Sequence, residues 1–97
     1  MMNQYGTLAE RHWKTHLPSR YATIENPTSF FDELGEQISD QIHDLADTFA
    51  GADPDGESYL DKVGRLNMAR LRAREQVLAE MLPTPENEEQ TAAPSTR

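Results

Sequence analysis

Apolar residues return at steps of three and four along three stretches of the chain, the spacing that lines one face of a helix. In the first, from Asn3 to His16, the residues Tyr5, Leu8, Ala9, His12, Trp13 and His16 make one mixed face. Leu17-Pro18 closes it, because the residue before a proline is pushed out of helical geometry. Ser19 to Asn26 reads as a connector whose Tyr21 and Ile24 pack down on the core. The second stretch repeats Phe31, Leu34, Ile38, Ile42, Leu45 and Phe49, with Glu33, Glu36, Asp40, Asp44 and Asp47 on its other faces. Asn26-Pro27-Thr28-Ser29 announces its start, with capping-box spacing from Ser29 to Asp32, and Gly51 predicts its stop. Gly35 is an interior weak point, roughly 1 kcal/mol worse than Ala in a helix. The third stretch starts at Ser58, where Asp61 repeats the capping-box spacing, and runs to Leu82. Tyr59, Val63, Leu66, Ala73, Val77 and Met81 form its stripe, with Arg70 interrupting the row, and Pro83 and Pro85 stop it. No strand-like alternation competes. The pattern predicts an all-α fold: the second and third helices as an antiparallel hairpin, with the N-terminal helix beside them.

Beyond Leu82 the pattern ceases. Residues 83–97 hold three Pro, three Glu and no large apolar side chain, too little to offset the entropy of ordering. The expected organisation is a small helical domain over residues 1–82 and a disordered acidic tail over 83–97. A core of that size is near the limit for a lone domain and tends to lean on a partner. The chain has no Cys, which excludes disulfides and thiolate metal sites. No apolar run reaches the length of a secretory leader core or a membrane span, so the expectation is a soluble, cytoplasmic protein away from membranes.

The net charge of −8 argues against general affinity for nucleic acid or anionic lipid. The charge is segregated, however. Glu25 to Glu57 carries ten carboxylates and no Lys or Arg, whereas Lys62 to Arg74 carries five bases and no carboxylate. The favoured arrangement sets the acidic helix beside the basic one. The alternative turns Lys62, Arg65, Arg70, Arg72 and Arg74 toward a phosphate backbone.

Motif chemistry is sparse. Asp53-Pro54-Asp55-Gly56 has the look of a calcium loop, yet Gly51 and Lys62 stand where its first and last ligands belong, so a capped inter-helix turn is expected. His12 and His16 are four apart, a spacing by which two imidazoles can share a metal, and His43 is the one candidate third ligand. Without a Cys or a catalytic Glu beside them they read as ordinary half-exposed histidines, and no metal or cofactor is expected. The carboxylates of the second helix read as a solvated face, since acid–base catalysis needs a desolvated cleft. In the third helix, Asn67 and Arg70 are expected to sit in the apolar seam as a polar latch that fixes register, or else as a recognition point for a second chain. Arg65, Arg72 and Lys62 are expected to point outward. Gly64 would let another helix backbone come close.

These residues carry a family resemblance. Tyr5-Gly6, Arg11, Lys14, His16, Pro18 and Tyr21 near the start resemble the TnpV family, small transposon-encoded proteins of bacterial mobile elements. So do Val63-Gly64-Arg65, Asn67, Arg70, Arg72-Ala73, Glu75, Val77-Leu78 and Glu80 in the third helix. The chain departs from the pattern at Lys62, where an aromatic is expected, and at Arg74-Glu75, where paired glutamates are. The resemblance implies residence on a mobile element and no catalytic residue.

The expectation is therefore a non-enzymatic accessory or regulatory protein of a mobile genetic element, acting through helix-mediated protein contact. Tyr5, Trp13, Tyr21, Asn67 and Arg70 are the candidate contact residues, and a second copy of the chain is among the candidate partners. The alternatives are a nucleic-acid-binding accessory using the basic helix, or an acidic phosphate mimic that blocks a DNA-binding enzyme.

Overall fold

The computed structural model describes residues 2–85, which hold four α-helices and no strand. These are α1 (Gln4–His16), α2 (Pro18–Tyr21), α3 (Pro27–Ala50) and α4 (Tyr59–Met81). The chain divides into two compact units, one built from residues up to Gln37 together with the segment from Leu82, the other from Ile38–Met81.

In the first unit, Asn3 caps α1, its Oδ1 accepting from the backbone N–H groups of Tyr5 and Gly6 at 3.0 and 2.9 Å. The helix ends at buried Leu17, as the following proline demands. Pro18 then opens α2, a single turn within the stretch read from sequence as a connector. Tyr21 and Ile24 are half-buried. Tyr5, Ala9, Trp13, Leu17 and Phe31 are the buried hydrophobic residues. Gly6 and Gly35 are buried as well, and a Cβ on Gly35 would meet Gly6 N at 2.5 Å and Gly6 Cα at 2.7 Å. Gly35 is thus the site of a close backbone crossing of α1 and α3, which corrects its reading as a helix weak point.

The start of α3 lies within the Asn26–Ser29 signal, at its first residues and not at the capping-box serine. Asn26, not Ser29, is the cap: its Oδ1 accepts from the Ser29 N–H at 3.2 Å, and Pro27 occupies the first helical position, where no N–H is needed. Pro83 carries the chain back onto α1, its carbonyl accepting from His12 Nε2 at 2.8 Å. The remainder of the expected tail, residues 86–97, lies outside the described residues.

The second unit contains the C-terminal part of α3 and all of α4. Its buried hydrophobic residues are Ile38, Ile42, Ala69, Ala73 and Val77. Gln41 meets Met81, Arg72 covers Phe49, and Arg65 reaches the Ala50 carbonyl. Ser58 caps α4 as expected, its Oγ accepting from the Asp61 N–H at 3.1 Å. The buried row of α4 is in part the one the apolar pattern predicts, with Ala73 and Val77 buried and Val63 and Met81 half-buried. Ala69, Ala73 and Val77 are buried, whereas Tyr59 and Leu66 are 79% and 41% exposed.

Candidate protein-interaction surface

The polar centre of the second unit is Arg65. Its Nε and Nη2 donate to the two oxygens of Glu57 at 2.8 and 3.0 Å, Nη2 also donates to Asp53 Oδ1 at 2.7 Å, and Nη1 donates to the Ala50 carbonyl at 2.5 Å. Lys62 donates to the other oxygen of Asp53 at 2.8 Å. The arrangement follows from local chemistry. Gly51 and Gly56 adopt positive φ, turning residues 51–57 so that their carboxylates face the first turns of α4. An α4 side chain leans toward the helix N-terminus, which brings Arg65 back over that loop. Ala50 lies at the end of α3, where carbonyls lack intrahelical partners, and Arg65 supplies one. Hydrogen bonds from Lys62 and then Arg65 hold the Asp53 carboxyl below its ordinary range, and the bond from Arg65 does the same for Glu57. Both carboxylates in turn push the Arg65 guanidinium up, so it stays charged.

This network corrects two expectations. The fixed arginine is Arg65, and Arg70 and Asn67 are exposed, so neither forms a buried latch. The bases of α4 are also not neutralised by the acidic face of the neighbouring helix: Lys62 and Arg65 pair with loop carboxylates, and Arg72 lies 4.5 Å from the Phe49 ring centre. Glu33, Glu36, Asp40, Asp44 and Asp47 remain exposed on α3 with no ion pair among the described residues. Sequence reasoning missed the network because Arg65 falls beside the apolar row. The usable signal was two turn glycines bracketing carboxylates just ahead of a helix with a basic second turn.

The aromatic candidates are core residues. Tyr5 and Trp13 are 8% and 9% exposed, which corrects their assignment to a contact face. Trp13 packs edge-on against Phe30 and Phe31 at 5.4 and 5.8 Å, and Tyr21 stacks on Phe31 at 5.9 Å. Arg20 covers Trp13, while half-buried Tyr21 donates its hydroxyl to Glu10 at 3.0 Å. Partial burial, then that carboxylate, push the Tyr21 phenol up. Among the described residues no group of three His, Cys, Asp or Glu side chains is placed to hold a metal ion. Nor is any helix among them long and apolar enough to cross a membrane.

What the molecule does present is an apolar face. Among the described residues, the large hydrophobic side chains that are exposed are Phe30 and five on α4: Tyr59, Leu60, Leu66, Met68 and Leu71. Leu60, Met68 and Leu71 lie on the side of α4 away from Ala69, Ala73 and Val77, at 77%, 57% and 46% exposure. Gly64 and Asn67 share that side, are exposed, and a Cβ on Gly64 would meet nothing within 4 Å. Arg70, Arg74 and Glu75 flank it, all exposed and without an ion pair among the described residues. Of the five predicted contact residues, Asn67 lies on this open side, Arg70 is exposed but lines a cavity with Ile42, Ala46 and Ala50 of α3, and Tyr5, Trp13 and Tyr21 lie elsewhere. No protein-family model, curated protein or solved structure matches the chain.

Proposed function

We propose that this chain is a non-enzymatic accessory or regulatory protein of a mobile genetic element, acting in the cytoplasm through protein contact. The contact is made by the outer face of α4, the second arm of an antiparallel helical hairpin. The observation that carries the proposal is the exposure of Leu60, Met68 and Leu71 on the outer side of this helix. Contiguous exposed apolar surface on a soluble domain marks an interaction site more often than isolated apolar residues do. The mobile-element context comes from the TnpV resemblance, whose third-helix residues include Gly64, Asn67 and Arg70 on or beside this face. Affinity capture from a cell carrying the element, followed by mass spectrometry, tests the proposal. The intact chain should retain a partner that the Leu71→Glu variant loses. Equal recovery by both would overturn the assignment of the surface.

A second proposal, an acidic phosphate mimic, draws on the five exposed α3 carboxylates from Glu33 to Asp47. Nucleic-acid binding through α4 is disfavoured by the engagement of Lys62 and Arg65 with Asp53 and Glu57. Competition with duplex DNA for a DNA-binding enzyme would separate the mimic from the contact protein.

A further inference from the structure

The first unit holds two imidazoles set like the arms of one chelate. His12 and His16 project from successive turns of α1, and their ring centres are 4.9 Å apart. A zinc ion binds an imidazole nitrogen at about 2.0–2.1 Å, and the ring centre lies about 1.1 Å beyond that nitrogen. Two imidazoles on one tetrahedral ion therefore have their ring centres about 5 Å apart, which the observed separation matches. Spacing alone leaves both rings free to turn, and so they read from sequence as ordinary surface histidines. The tertiary structure orients one of them. The Pro83 carbonyl can only accept, so His12 Nε2 carries the proton in their 2.8 Å hydrogen bond. In the neutral ring this leaves the lone pair on Nδ1. A backbone carbonyl behind one nitrogen is the usual support of a metal-ligating histidine, because it fixes the tautomer and makes the other nitrogen more basic. His16 has no hydrogen bond among the described residues, so either of its nitrogens can serve as a ligand.

We infer that His12, through Nδ1, and His16 form a two-imidazole site for a zinc-class divalent ion, with water in its remaining positions. Imidazole suits zinc and its transition-metal neighbours, whereas calcium and magnesium require oxygen ligands. The surroundings agree with that selectivity. Leu8, Arg11, Thr15 and Leu82 line the cavity beside the two rings, and none is a carboxylate. Glu10, the one acidic residue of α1, is taken up by the Tyr21 hydroxyl and Lys14. With two protein ligands and the Arg11 cation close by, the site is an exchangeable one and not a structural zinc centre. It also has a consequence for the fold. His12 serves both the ion and the Pro83 carbonyl, so ion binding and the docking of Pro83 on α1 favour each other.

Calorimetric titration of the full, untagged chain with zinc chloride at neutral pH tests this. One equivalent should bind with a dissociation constant of roughly 10–100 μM, and magnesium chloride should not bind. His12→Gln and His16→Gln should each weaken zinc binding by roughly tenfold or more. His43→Gln, in the other unit, should leave it unchanged. Zinc should raise the melting temperature of the parent chain and not that of His16→Gln. Because the His16 ring makes no hydrogen bond, that variant keeps its helical signal and carries the test even if His12→Gln loosens the fold. Nitrogen-15 spectra of the imidazoles should show His12 protonated at Nε2 without zinc, and a shift at its Nδ1 when zinc is added. The inference is overturned if no zinc binds at roughly 1 mM. Binding that survives His16→Gln, that needs His43, or that shifts Nε2 of His12 instead of Nδ1 would overturn it equally.

Discussion

Gly35 and Gly64 occupy similar positions in a helix interior and have opposite surroundings. The missing Cβ of Gly35 is where Asn3 Oδ1 and the backbone of Gly6 sit, whereas Gly64 faces open space. Gly35→Ala should therefore destabilise the protein by about 1–3 kcal/mol through overpacking. Gly64→Ala should stabilise it by about 0.5–1 kcal/mol through helix propensity. Thermal melts of the two variants at low concentration check this, and shifts of the same sign would contradict the crossing at Gly35. Arg65 and Arg70 form a second contrasting pair. Arg65→Ala breaks four hydrogen bonds and leaves Glu57, 10% exposed at its side chain, without its cation. Arg70→Ala removes an exposed side chain. The melting temperature should fall clearly for the first and hardly at all for the second.

At the scale of elements, the helix ends were set by capping chemistry that sequence located to within three residues. Asn26 and Ser58 each accept a backbone N–H of the first turn, so Asn26→Ala and Ser58→Ala should each cost about 1 kcal/mol in denaturant titration. Ser29→Ala, at the cap position the spacing first indicates, should cost much less. The discrepancy has a plain cause: Asn-Pro places a strong cap directly ahead of a residue already locked at helical φ. The rotational setting of α4 was less legible. Its sequence offers two apolar rows, one through Ala69, Ala73 and Val77 and one through Leu60, Leu71 and Leu78. The pattern placed Ala73 and Val77 on the inner row, where they are buried, but also Tyr59 and Leu66, which are exposed, and it left out Ala69. Which row faces α3 depends on how closely two backbones can approach, and a single helix carries no record of that.

For the whole molecule, pH dependence follows from the loop network. Asp53 and Glu57 have carboxyls held below their ordinary values of 3.8 and 4.5 in the folded chain. A carboxyl whose folded value is depressed binds its proton less readily when folded. The stability it contributes is full above its unfolded value and lost as pH falls through its folded value. Stability should hold above about pH 5 and decline below pH 4.5 and then 3.8, and Arg65→Ala should blunt that decline. Chemical denaturation across pH 2–7 checks the sign; a decline of equal steepness in the variant would remove Arg65 as its source. The net charge of −8 and the commitment of Lys62 and Arg65 also predict feeble DNA affinity. In anisotropy titrations, duplex binding should be weaker than roughly 10⁻⁴ M at physiological salt. Micromolar, salt-sensitive binding would instead promote the basic helix to a nucleic-acid interface.

The sequence alone determined the helical class, the three long helices, the turn at Gly51 to Glu57 and the absence of cysteine chemistry. Each is a local property: periodicity, capping side chains and turn residues act within a few positions of one another. Tertiary structure alone decided that Tyr5 and Trp13 are core, that Gly35 is a crossing point, and that Arg65, not Arg70, is the fixed cation. It also decided that Asn67 stands on the open side of α4 and that Arg70 lies beside α3. Burial and pairing are relations between segments far apart in the chain. They depend on which face of each helix wins the packing.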